Sequence, residues 1–191
     1  VNDPPTFPEL LIGEVSDGPL IGDQDFQTTD LSGDFSLQTT DPDAVGDLTF
    51  TLTDDGLGSF GSLSLDADGR YQYSPDVLAV EALGFGESGV DTFLVTVTDS
   101  EGATDSGFYR VNINGANDAP TVEGAIAVQG TEEEGVITVQ LLAGADDIDA
   151  TDTLSVSNPI YQVDGQFMSS GGSSLPEGIV VSGDTVTINT N

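Results

Sequence analysis

Apolar residues along this chain fall at every second position over short stretches. Leu48, Phe50 and Leu52 share one parity; so do Phe93, Val95 and Val97, and likewise Tyr109, Val111 and Ile113. A strand turns alternate side chains to one face, so each run predicts a strand with one face in a core. Val136 to Leu141 and the pair Val186 and Ile188 continue the pattern. Between the runs stand Asp54-Asp55-Gly56, Asp68-Gly69, Glu101-Gly102 and Gly171-Gly172, residues suited to tight turns. Only Asp76 to Leu83 has room for a helical turn or two. Many short strands separated by turns predict an all-β sandwich.

Two features repeat. Asn2-Asp3-Pro4-Pro5-Thr6 returns as Asn117-Asp118-Ala119-Pro120-Thr121, at a spacing that suits one sandwich domain per copy. Proline just after an Asn-Asp pair predicts a stiff, extended junction. Asp41-Pro42-Asp43 with Asp47 leads into the strand from Leu48, and Asp147-Ile148-Asp149 with Asp152 leads into that from Thr153. The expected units are therefore residues 1–118 and 119–191, with the second shorter and expected to lack its last strands. An early stop, an inserted domain or a shorter type of unit would each account for the difference. Because Val1 stands in mid-pattern, the chain reads as a piece of something longer.

Charge narrows the function. The 34 acidic residues face only Arg70 and Arg110, with no Lys and no His, for a formal net charge of −32. Nucleic acid is excluded as a partner, since binding phosphates needs Lys or Arg to displace counterions. Anionic membrane surfaces are disfavoured for the same reason, and no apolar run approaches the roughly 20 residues of a membrane span. Two carboxylates about 4 Å apart in a partly shielded site repel by about 4 kcal/mol. Clustered acids therefore need a counter-cation, whereas acids spread over a halophilic surface need only water. Without Cys or His there is no disulfide, no thiolate or imidazole ligand, and no Ser-His-Asp arrangement. An oxygen-only donor set suits calcium, which accepts 6–8 oxygens at about 2.3–2.6 Å in irregular geometry; magnesium demands a stricter octahedron.

The run Leu65-Asp66-Ala67-Asp68-Gly69-Arg70-Tyr71-Gln72-Tyr73 opens a longer pattern. It continues through Ala82-Leu83-Gly84, Asp91-Thr92-Phe93, Val95 to Asp99 and Gly102-Ala103-Thr104, and closes with Val111 to Pro120. Together these residues resemble the VCBS repeat of large bacterial RTX-type adhesins. Thr131-Glu132-Glu133, Leu141-Leu142-Ala143, Asp147-Ile148-Asp149 and Leu175-Pro176-Glu177-Gly178 resemble a neighbouring cadherin-like repeat of such proteins. The resemblance implies two consecutive Ig/cadherin-like β-sandwich units, type I secretion to the bacterial cell surface, and tandem repeats forming a stalk with calcium near the junctions. It also implies ligands: Glu14, Asp66 and Asp68 of the first unit, Asn117 and Asp118 of the junction, and Asp147 and Asp149 of the next unit. A second, N-terminal site would use Asn2, Asp3, Asp41, Asp43 and Asp99. Gly115 and Ala119 depart from the cadherin pattern, which has an acid and an Asn there, and Asp17 competes with Glu14 as the early acid.

Each motif also has a purely structural reading. Asn-Asp-x-Pro can be turn chemistry alone, Asp66 and Asp68 can form a hairpin turn, Asp99 and Glu101 flank a hairpin with Glu101 read as structural, and Glu132 to Glu134 read as a solvated charge run. Tyr71 and Tyr73 read as sheet packing rather than a sugar platform. The function expected is a calcium-stiffened spacer in an adhesin, supporting adhesion or biofilm formation, with neighbouring repeats of the same chain as partners. No small-molecule substrate and no enzymatic activity are expected. Paired carboxylates formally suit glycoside hydrolysis, but a chain without Trp lacks the favoured sugar platform. The alternative function is a ligand- or carbohydrate-binding β-sandwich module.

Overall fold

A computed structural model describes residues 2–18, 26–43, 47–131, 135–157, 160–163, 166–169 and 178–189. Glu132 to Glu134, Gly171-Gly172 and Leu175 to Glu177 lie outside the described residues. The chain is all-β, and it divides into two compact units. One comprises Val1–Ala119 with Ile148–Thr151, the other Pro120–Asp147 with Asp152–Asn191.

The first unit is a sandwich of two sheets. Strands β1 (Leu10–Ser16), β2 (Gln27–Thr29), β4 (Thr49–Leu52), β7 (Ser88–Thr98) and β8 (Thr104–Asn114) form one sheet in the order β2-β1-β8-β7-β4. Strands β3 (Ser32–Asp34), β5 (Gly61–Leu65) and β6 (Arg70–Pro75) form the other in the order β3-β6-β5. A 3-10 turn spans Phe35–Gln38, and the short helix α1 spans Val77–Glu81. Asp76 starts α1 by accepting the N–H groups of Leu78 and Ala79, which satisfies otherwise orphan donors.

The parity seen in the sequence becomes the core. Phe50, Phe93, Val95, Val97, Tyr109, Val111 and Ile113 are all buried, whereas Leu48 and Leu52 are half-buried against them. Tyr71 stacks on Phe35 with ring centroids 4.1 Å apart, and Tyr73 is 2% exposed, so both tyrosines pack inside the sandwich and neither offers a sugar platform. Loss of water raises the pKa of Tyr73 far above its usual range, and a hydrogen bond to Asp91 adds to the rise.

One pairing is not implied by strand parity. β1 runs parallel to β8, in register from Leu10↔Phe108 to Ser16↔Asn114, while β7 and β8 form a long antiparallel hairpin. The asparagine end of that hairpin (Ser88↔Asn114) and its turn end (Thr98↔Thr104) are separated by ten residue steps, about 33 Å at strand rise. This distance decides which acids can meet.

The second unit contains β9 (Thr121–Val122), β10 (Val136–Gln140), β11 (Ala145–Asp146), β12 (Ile160–Val163), β13 (Gln166–Ser169), β14 (Ile179–Ser182) and β15 (Thr185–Asn189). They pair as β10-β15-β14, β11-β9 and β12-β13. No helix among the described residues is long and apolar enough to cross a membrane.

Candidate metal centres at the two ends of the first unit

At the asparagine end of the hairpin, strand β8 gives way to Gly115 and then to Asn117 and Asp118. The backbone N–H of Asp118 donates to Asp149 Oδ2 at 2.9 Å, and each of these residues is 1% exposed. The segment after α1 forms the floor. Ala82 accepts the N–H of Ala150 at 3.1 Å, and Glu87 Oε1 accepts the hydroxyl of Thr151 at 3.1 Å. Glu81, the residue before Ala82, is fully buried. The residues 148–151 thus close over the end of the first unit by backbone and side-chain bonds together.

The turn from Asp147 to Asp152 focuses charge. One carboxylate oxygen from each of Asp147, Asp149 and Asp152 lies within 4.8 Å of the others. Ligands on opposite sides of a calcium ion stand about 4.6–5.2 Å apart, so this spacing fits that ion. Asp152 is the third member of the Asp-x-Asp-x-x-Asp spacing, yet it had not been expected as a ligand. Glu81 had not been expected either, since a lone acid in a helical turn carries no metal signature.

At the turn end, the N-terminal residues are joined by separate hydrogen bonds. Asn2 Nδ2 donates to Asp99 Oδ2 at 2.7 Å, the Asp3 N–H donates to Asp43 Oδ2 at 2.6 Å, and the Asp43 N–H donates to Asp41 Oδ1 at 2.9 Å. A bridge between Thr6 and Thr40 holds the two segments side by side. Asp99 further caps the hairpin turn, its Oδ1 accepting the N–H groups of Glu101 at 3.0 Å and Ala103 at 2.8 Å. The Asn2 side chain and these backbone donors hold its carboxyl below the usual carboxylate range, against an opposing effect of burial.

Asp66 and Asp68 do not join Asn117 and Asp118. They are exposed in the turn between β5 and β6, where Asp68 pairs with Arg70 at 2.8 Å. Ala67 in that turn accepts the N–H of Phe50, and Phe50 is opposite Val97, so the turn belongs to the far end of the sandwich. The expected grouping is corrected by β-sheet register. Glu14 is exposed on β1 opposite Asn112, whereas Asp17 stands at the strand end, its N–H bound to the Asn114 carbonyl at 2.8 Å. Gly115 also has a physical reason: a Cβ there would lie 2.0 Å from the Leu83 carbonyl oxygen, so no acid fits.

The bacterial cadherin-like domain family matches residues 2–115, more than half of the chain. The chain belongs to that family. Among solved structures, this cadherin-like chain is similar to the human desmocollin-1 ectodomain, at 16% identity over 99% of this chain and 31% of that one, with a TM-score of 0.41. It is also similar to protocadherin gamma B7 extracellular cadherin domains 1–4, at 14% identity over 97% of this chain and 49% of that one, with a TM-score of 0.41. It therefore spans less than half the length of either ectodomain chain. No curated protein matches it. Cadherin-like domains are extracellular structural and adhesion modules, and they generally bind calcium.

The residues present fit that ion. The side chains at both ends offer carboxylate and amide oxygens, and the chain holds no His or Cys that would favour a softer metal. Among the described residues only Asp147, Asp149 and Asp152 bring three carboxylates within 4.8 Å of one another. Burial of Glu81, Asp118 and Asp149 as charged groups demands compensation by cation or hydrogen bond.

Proposed function

We propose that this chain is a calcium-rigidified extender from a secreted, cell-surface bacterial adhesin of the RTX type, built of VCBS and related cadherin-like repeats and serving adhesion or biofilm formation. The observation that carries the reading is the burial of Asp118 and Asp149 against one another in a chain that carries 34 acids and two arginines. The residues that would hold calcium near the linker are Asp118, Asp147, Asp149 and Asp152, with Asn117, Glu81 and Asp17 beside them. Asn2, Asp3, Asp41, Asp43 and Asp99 would hold it at the other end of the first unit.

Calcium supplies positive charge at these carboxylates. The chain's own part is to hold the acids close in advance: the Asp118 N–H fixes the Asp149 carboxylate, and the Ala82–Ala150 bond fixes the turn that carries it. With the charge balanced, the linker from Asn117 to Pro120 is tied down; without it, like charges push the linker away. Extracellular calcium modules work at dissociation constants of about 10⁻⁴–10⁻³ M, so the chain would stay loose in the cytosol and stiffen outside.

Calorimetric titration of the chain with calcium, before and after chelation, tests the proposal. Binding of calcium with a rise in thermal stability supports it; a titration with no heat and no change in melting refutes it.

A further inference from the structure

Strand β8 ends in the only Asn-Gly pair of the chain, Asn114-Gly115. Asparagine before glycine is the pair most prone to lose its side-chain amide, because glycine leaves its own backbone nitrogen unhindered. The fold needs that glycine: a Cβ at position 115 would collide with the Leu83 carbonyl oxygen. The close packing that seats the root of the linker thus installs a labile pair there. Asn2 and Asn117 precede Asp and Asn112 precedes Ile, side chains that shield the attacking nitrogen.

In the closed structure both reacting groups are held. The Gly115 N–H, whose nitrogen must become the nucleophile, donates to the Glu87 carbonyl at 3.1 Å. Asn114 stands in strand register with Ser16 and Ser88, its carbonyl accepting the Asp17 N–H at 2.8 Å and its side chain donating to Ser16 Oγ at 3.4 Å. A strand side chain stands perpendicular to the sheet, away from the next backbone nitrogen. Glu87 is itself pinned, its Oε2 accepting the Gly84 N–H at 3.0 Å and its Oε1 the Thr151 hydroxyl at 3.1 Å. The turn at 148–151 therefore bears on the residue that occupies the nucleophile. Asn114 is exposed, so water reaches it once these bonds open.

We propose that Asn114 is a deamidation site gated by the opening of this end of the first unit. Once freed, the Gly115 nitrogen gives its proton to solvent base and attacks Asn114 Cγ. The new N–C bond closes a five-membered succinimide as the Cγ–Nδ2 bond breaks and ammonia leaves. Water then adds to either ring carbonyl and opens it to aspartate or isoaspartate, with no oxidation or reduction. Isoaspartate routes the main chain through the former side chain and lengthens it by one methylene before Gly115. That shift cannot keep both the Asp17–Asn114 and the Gly115–Glu87 bonds, and either product adds a carboxylate to a chain of net charge −32. Opening is thus recorded irreversibly in the strand that leads to the linker. The site does not depend on calcium; only the effect of calcium on its rate rests on the extender reading.

The test incubates the whole chain at mildly alkaline pH in calcium, in chelator, and in urea sufficient to unfold it. Peptide mass spectrometry with isoaspartate-specific methylation follows Asn114. Because the reaction samples the open fraction, the folded chain should react at least about tenfold more slowly than the unfolded one. Relative to chelator, about 10 mM calcium should slow it about 10–100-fold for dissociation constants of about 0.1–1 mM. The modified wild-type chain should melt below fresh protein, whereas Asn114→Gln, whose ring closure is slow, should melt unchanged after the same incubation. Equal rates in calcium and chelator, both far below the rate in urea, would support the Asn114 site and count against the calcium reading. An Asn114 that reacts as fast folded as unfolded, that stays an amide even in urea, or that is outpaced by Asn112 or Asn117 overturns the proposal. So does a modified chain that melts like fresh protein.

Discussion

The Asp118 N–H points at Asp149 Oδ2 across 2.9 Å, and both side chains are 1% exposed. A linker residue and an acidic turn far along the chain are joined by this bond, and both carboxylates are shielded from water. In the proposed role the Asp149 charge serves calcium, while its oxygen serves the backbone.

Asp149→Asn separates those tasks, because the amide oxygen still accepts the Asp118 N–H. The wild-type chain should gain about 1.4–2.7 kcal/mol in about 10 mM calcium for dissociation constants of about 0.1–1 mM. Asp149→Asn should lose most of that gain, yet be at least as stable as wild type in chelator, where repulsion is relieved. Asp118→Ala combined with Asp149→Ala should lose the calcium gain as well. Melting curves in both buffers decide; an unchanged calcium response in these variants places the ion elsewhere.

Asp66→Asn with Asp68→Asn should leave the calcium-dependent gain intact. The surface pair with Arg70 is worth little, so stability should shift by no more than about 1 kcal/mol. Calorimetry that showed a lost calcium site in this variant would contradict the separation of the two ends of the sandwich.

Gly115→Glu would supply the acid seen at this position in the cadherin pattern, but it should weaken the fold instead of the metal affinity improving. A Cβ at 2.0 Å from the Leu83 carbonyl forces backbone movement, and overpacking of this kind costs about 1–3 kcal/mol. Urea denaturation in chelator measures it.

Asp91 is buried and accepts hydrogen bonds from the Tyr73 hydroxyl at 2.7 Å, the Ser59 N–H at 2.7 Å and the Phe60 N–H at 3.1 Å. Tyr73→Phe should cost about 1–3 kcal/mol in urea denaturation, and Asp91→Ala more, because the Ser59 and Phe60 N–H groups lose their acceptor as well. Calcium binding should be unaffected by Tyr73→Phe.

Acid should loosen the N-terminal end. The folded chain holds the Asp99 carboxyl below its ordinary value near 3.8, chiefly through Asn2, so it binds fewer protons folded than unfolded in that range. Its stabilisation is present above the ordinary value and is lost as pH falls through the lower, folded one. Asn2→Ala should move the Asp99 midpoint up toward the ordinary value, read by carboxyl NMR titration; an unmoved midpoint would remove Asn2 as the cause.

The amino-acid order by itself determined the alternation that builds strands, the turns at Gly56, Gly69 and Gly102, the helix start at Asp76, and an oxygen-only, acid-rich chemistry that calls for a divalent cation. Those are local matters, since parity and turn conformation depend on neighbours in the chain. Only the tertiary structure decided which acids meet. Parity says which face a residue occupies and nothing about which strand lies beside it, so the parallel seat of β1 on β8 had no local sign. The β7–β8 hairpin then keeps the turn of Asp66 and Asp68 at the opposite end of the sandwich from the linker, while the turn at 148–151 brings Asp149 to the Asp118 N–H.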